Sequence, residues 1–231
     1  MRDARHPVRA VAVAGAAVCT VGSGVVAQPA AAASVSVCGG VPRCHEVARV
    51  DVDGDGTADR VALVRRGTDR AEHGSVTVRV QTSPTHVESV RRRTFFWSGG
   101  LWQGAGTLDG RPGRELVVGH AMGAHAEFFW VFTWRHGHLV TLRAPGGDPD
   151  WGVDGAANDV LGWQRFGDAP AGQVRHLVGE RQPDGRMKGT VTTYQWTPGR
   201  WVRQAAAVVD PLSRERAGRW VGWHVQGVAR Y

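Results

Sequence analysis

VDVDGDGTADRVALV, residues 50–64, sets four aspartates within nine positions and then runs straight into a β-branched apolar stretch. Counted from Asp51, carboxylates stand at positions one, three, five and nine, and Gly56 stands at six. This spacing lets one tight turn converge its oxygens on a single ion: glycine takes the positive φ of the reversal, and the Thr57 carbonyl at position seven adds a ligand. Left without a cation, four neighbouring carboxylates would repel one another and stay ionised only at a cost. Four carboxylates, one carbonyl and a water give six or seven oxygens, which suits Ca²⁺ better than the smaller, strictly octahedral Mg²⁺. Position twelve is Ala62, not glutamate, and Val61 to Val64 reads as strand. The loop therefore joins β-segments, and Asp59 must close the coordination. The competing reading is a solvated Asp-Gly turn.

Outward from this loop the chain keeps a strand-like texture, with short apolar runs, β-branching and frequent turn signals among its 32 glycines. Strands are expected at Val61 to Arg65, Ser75 to Gln81, Glu115 to Val118, Glu127 to Trp134, Leu139 to Arg143, Val174 to Val178, Thr190 to Trp196 and Trp201 to Val208. EFFWVFTW, residues 127–134, is apolar on both faces and reads as a central strand. PLSRERAGRW, residues 211–220, offers a short helix with Pro211 in its first turn. The predicted fold is all-β, built of antiparallel meander units with at most short helices.

Two offsets suggest that the units repeat. WRHGHLV at residues 134–140 recurs as WTPGRWV at 196–202, each a hairpin with a glycine-containing turn. TLDGRPGRELVV at residues 107–118 can be laid on the acidic loop so that Asp109 falls on Asp53 and Glu115 on Asp59. Thr107 and Arg111 break the ligand set in this second loop, which is expected to hold no metal, with the Arg111 guanidinium between Asp109 and Glu115. A third, weaker unit is expected near Asp154 in WGVDGAAND.

The D-x-D-G-D-G-x-x-D pattern between strands resembles the calcium loop of FG-GAP/VCBS-type repeats, the β-propeller units of integrin alpha chains and many secreted bacterial proteins. The resemblance covers about Val47 to Arg66. It implies that Asp51, Asp53, Asp55, Thr57 and Asp59 are Ca²⁺ ligands. Three units are fewer than a closed propeller of that family uses, so a shortened, open or otherwise completed assembly is implied.

The N-terminus reads as an export signal: Arg2, Arg5 and Arg9 precede an uncharged Ala/Val/Gly segment that ends in small residues, with cleavage expected before Ser34. An uncleaved anchor fits less well, because the segment is weakly apolar and glycine-rich. Residues 34–231 then form one secreted domain, monomeric and free of a transmembrane anchor. Losing Cys19 leaves Cys38 and Cys44, which an oxidising compartment would join as a local staple. A metal site using these two thiols with His45 lacks a fourth ligand.

Three arginines and one aspartate leave with the signal, taking the formal charge from +7 to +5, and almost all of the positive charge is arginine. Scattered arginines without a motif argue against nucleic acid and fit solubility or attraction to an anionic cell-wall polymer. A glycan or another secreted protein are the other candidate partners. No G-x-S-x-G or H-E-x-x-H pattern marks catalysis, and the spacing of His120 and His125 is a poor zinc signature. Two functional classes remain. One is a secreted, calcium-stabilised domain that binds or supports structure at or outside the envelope. The other is an extracellular glycan-active hydrolase, which would need a tryptophan-lined cleft and a carboxylate pair such as Glu115 and Glu127. The 10 tryptophans are mostly expected in the core, with Trp97, Trp102 and Trp151 as the candidates for exposure beside glycine-rich turns.

Overall fold

The computed structural model describes residues 35–67, 74–95, 97 and 100–230. The expected signal segment and its cleavage point lie outside them. All of the described residues belong to the unit from Ala33 to Tyr231.

The fold is nearly all β, and its strands form antiparallel meanders. The first comprises β1 (Cys44–Val50), β2 (Asp59–Arg66), β3 (Gly74–Ser83) and β4 (His86–Thr94), a sheet in sequential order. The second comprises β5 (Trp102–Gly106), β6 (Glu115–Met122), β7 (Ala126–Arg135) and β8 (His138–Thr141), again paired in sequence. A short β9 (Trp151–Gly155) pairs with both β7 and β10 (Asp159–Gln164). It thereby joins the second meander to a third, made of β10, β11 (Gln173–Arg181), β12 (Met187–Thr197) and β13 (Arg200–Leu212). A short helix α1 (Arg214–Gly218) and β14 (Gly222–His224), which pairs parallel with β10, complete the order. Neither sheet closes into a barrel.

The three meanders share one design. Their third and fourth strands are joined by two-residue turns at 84–85, 136–137 and 198–199. Both residues of the second turn, His136 and Gly137, have positive φ, at 51° and 82°. That geometry matches the right-handed twist of a tight hairpin. The repeat of WRHGHLV in WTPGRWV is therefore a repeat of structure: Trp134 faces Leu139, and Trp196 faces Trp201. First and second strands are joined by eight-residue loops at 51–58, 107–114 and 165–172. The third loop is not the one expected from WGVDGAAND. Asp154 lies in β9, where its Oδ1 accepts from Ala156 N at 2.7 Å.

Burial follows the two-fold alternation of strands. Val61 and Leu63 of β2 enter one core with Val76, Val78 and Val80 of β3. β6 and β7 are buried on both faces over Glu115 to His120 and Phe129 to Thr133, as expected of central strands. Trp151 is fully buried and meets Trp163, Trp201 and Trp223 at centroid distances of 4.6, 6.0 and 5.7 Å. Its indole N–H donates to Leu142 O at 2.8 Å. Trp97 is 2% exposed and packs edge-on against Phe129. Two of the three tryptophans expected beside open turns are thus core, and Trp102 is half-buried.

A second, smaller core beneath α1 gathers Val160, Leu177, Leu212 and Trp220. The helix is shorter than the sequence suggested: Ser213 caps it, accepting from Arg216 N, and Pro211 still belongs to β13. The C-terminal segment then returns to β5, where Ala105 N donates to Gly227 O at 3.0 Å and Ala229 N to Gln103 O at 2.6 Å. Near the N-terminus Cys38 and Cys44 form the disulfide, with Cα atoms 5.5 Å apart. A loop that short restricts the unfolded chain by roughly 2 kcal/mol. Among the described residues, no helix is long and apolar enough to cross a membrane.

Candidate metal centre

The acidic loop closes the β1–β2 hairpin, whose last pair is Val50 with Asp59. Its shape is held by its own carboxylates. Asp51 Oδ1 accepts from Gly54 N at 2.7 Å and Oδ2 from Gly56 N at 3.1 Å, while Asp53 Oδ1 accepts from Asp55 N at 3.1 Å. Asp59 Oδ2 reaches back to Val52 N at 2.7 Å and Asp53 N at 3.3 Å. Gly56 has the expected positive φ, 87°. One carboxylate oxygen each from Asp51, Asp53 and Asp59 lies within 4.8 Å of the others. Asp55 does not join them: it is exposed and its Oδ1 accepts from Thr57 N at 2.6 Å. Thr57 is exposed as well.

The second loop packs directly on the first. Arg114 N donates to Asp51 O at 2.9 Å. A Cβ on Gly54 would stand 2.6 Å from Pro112 Cβ, and one on Gly113 would stand 2.3 Å from Val52 O. Side chains at either position would force the two loops apart. The same relation recurs one unit along, where a Cβ on Gly110 would meet Gly172 N at 2.1 Å.

The first two loops also share an internal brace. Val52, 1% exposed, donates its N–H to Asp59, and Leu108, fully buried, donates its own to Glu115 Oε2 at 2.5 Å. The laying of Asp109 on Asp53 and Glu115 on Asp59 is thus a structural equivalence. Where the two differ is in charge. Buried Asp109 is paired with the guanidinium of Arg135, which arrives from the end of β7. Arg111, expected in that role, offers only its backbone N–H to Asp109 Oδ1, at 3.0 Å. The expectation fails because Arg135 is remote in sequence and is delivered by the sheet, whereas Arg111 points out of the loop as an exposed side chain. In the third loop, Phe166 and Gln173 replace the apolar–acid pair altogether.

No guanidinium or imidazole among the described residues pairs with Asp51, Asp53 or Asp59; the neighbouring Arg60 is bound to Glu46. Asp59 is only 2% exposed. Its pKa is raised by burial, opposed by the hydrogen bond from Val52 N and reinforced by the charges of Asp53 and Asp55. Three converging hard oxygens, one of them on a desolvated carboxylate without a protein counter-charge, fit a divalent cation bound through oxygen.

Glu115 occupies the position equivalent to Asp59. Burial raises its pKa from 4.5 to about 7, against hydrogen bonds from Leu108 N and Thr133. A carboxyl raised in the folded state stabilises fully below its unfolded pKa, and that contribution is lost as pH rises from about 4.5 through about 7. Glu115→Gln is therefore expected to flatten the decline of the urea midpoint between pH 5 and 8. An unchanged slope would assign the pH dependence to another group.

The other candidates do not assemble into sites. His120 is buried, stacked on Trp130 at 4.1 Å, with Nε2 3.0 Å from Asp150 Oδ1 but off the line of a good hydrogen bond. His125 lies in an exposed turn, its Nδ1 2.9 Å from Asp154 Oδ1. Glu127 pairs with Met122, seven residues along β6 from Glu115. At ~3.3 Å per residue the two carboxylates stand roughly 23 Å apart. Glycosidase pairs need about 5–9.5 Å. No protein-family model matches the chain, and neither a curated protein nor a solved structure is significantly similar to it.

Proposed function

We propose that this chain is a secreted, Ca²⁺-stabilised β-repeat domain of FG-GAP/VCBS type, with a binding or structural role at or outside the cell envelope. Asp51, Asp53 and Asp59 supply the converged oxygens, and Asp55 and the Thr57 carbonyl are the remaining ligands. What carries the reading is the contrast between two braced loops of equal length. In one a protein guanidinium neutralises the buried acid. In the other three carboxylates converge with no protein cation paired to them among the described residues. The repeated four-stranded meander supports the kinship, and export with cleavage before Ser34 rests on the N-terminal sequence. The partners that suit a basic exported domain are an anionic wall polymer, a glycan or another secreted protein.

Hydrogen exchange tests the assignment loop by loop. Calcium is expected to slow exchange of the amides of Asp53 to Thr57 relative to chelator, while residues 107–114 and 165–172 exchange at unchanged rates. Equal rates in all three loops with and without calcium would remove the metal from the account.

A further inference from the structure

Between the turn of the β7–β8 hairpin, the segment 142–147 and the turn of the β12–β13 hairpin lies an open cleft of about 680 Å³. It is separate in sequence from the acidic loop, and its chemistry is opposite. Arginines 111, 135, 143 and 200 line it, and among the described residues no aspartate or glutamate does. Arg135 is balanced by buried Asp109 behind it. Arg111 and Arg200 are exposed and have no acidic partner among the described residues, and Arg143 is exposed with one Nη donating to Gly147 O at 2.7 Å. The cleft therefore carries a net positive field that nothing within it offsets.

Its floor is aromatic. Trp196 and Trp201 are half-buried, with ring centroids 5.1 Å apart at 68°. Trp201 is fixed by a hydrogen bond from its indole to Arg143 O at 2.8 Å and by edge contact with Trp151. The indole nitrogen of Trp196 is buried without an acceptor. Rigid indoles give apolar area at little entropic cost, and guanidinium forks bind carboxylate, sulfate or phosphate in bidentate fashion. A ligand that uses both must present a C–H face and an anionic group close together. The volume lies within the range of small-molecule sites.

We propose that this cleft binds an acidic saccharide, its ring against Trp196 and Trp201 and its anionic group between Arg111 and Arg200. This deepens the binding role proposed above and rests on that role, though not on the ion. An acidic peptide fits less well, since it would supply charge without a rigid face for the paired indoles.

Calorimetry on the full exported chain, with calcium present, tests it using trigalacturonate as the probe. Binding is expected, weakening as salt rises from 50 to 300 mM, with maltotriose and inorganic phosphate each at least tenfold weaker. Arg111→Gln/Arg200→Gln, both at exposed positions, should lower affinity at least tenfold with unchanged circular dichroism. Removing two arginines elsewhere, Arg43→Gln/Arg214→Gln, should change it less than twofold. The proposal is overturned if trigalacturonate does not bind, if the two double variants behave alike, or if hexaglutamate binds as tightly. Loss of saccharide binding with calcium binding intact would discard the cleft and leave the metal assignment standing.

Discussion

Replacing Trp151 by alanine is expected to cost about 3–5 kcal/mol, the usual range for removing a buried large aromatic. The side chain is fully buried, touches three further indoles and satisfies its N–H on Leu142 O. It also sits on β9, the strand that joins the second meander to the third. Losing it removes packing where β9 stitches those two units together, so urea unfolding should show a lowered midpoint. In the sequence Trp151 stands beside a glycine-rich turn and invites a reading as a sugar platform. A variant that kept wild-type stability and lost only saccharide binding would restore that reading and contradict the role of Trp151 as a packing centre.

Calcium should produce the second large effect, and it should reverse the sign of one substitution's effect on stability. A ligand at a hundredfold excess over its Kd stabilises by about 2.7 kcal/mol. For a chain of this size that is roughly 5–10 °C in melting temperature. Asp59 is desolvated, so its ionised form burdens the ion-free fold: the stability of the protonated carboxyl, present below about 3.8, is lost as pH rises through the raised folded value. At neutral pH Asp59→Asn removes that burden while keeping an oxygen for Val52 N. In chelator the variant should melt at or above the wild type, and in calcium below it. A variant that retained the full calcium shift would show that Asp59 is not a ligand.

The sequence discloses the features that rest on local rules. Glycine turns flanked by alternating residues locate the hairpins at 136–137 and 198–199, and the spacing of Asp51 to Asp59 locates the acidic loop. The pairing of Cys38 with Cys44 follows from their short spacing and from the loss of Cys19 expected with an export signal. What stays hidden depends on neighbours distant in the chain. β4, HVESVRRRT, is an edge strand with largely exposed residues and no apolar run to announce it. β10 and β14 are short, and β14 is held by a parallel pairing with β10 that no periodicity reports. The third loop, RFGDAPAG, has neither the apolar–acid brace nor converging carboxylates, so a reading guided by acids lands on Asp154 instead. Arg135 is not legible as the partner of Asp109 because 26 positions separate them and only the sheet brings them together. The arginine-lined cleft is invisible for the same reason: its residues come from separate segments between Arg111 and Trp201.

The metal assignment is tested most directly by calorimetric titration of residues 34–231 with CaCl₂, wild type beside Asp53→Ala. One saturable site per wild-type chain is expected, with weaker binding of MgCl₂ and no site in the variant despite an unchanged far-UV spectrum. A wild-type titration without heat at several temperatures, or a variant that still binds one calcium, would contradict it.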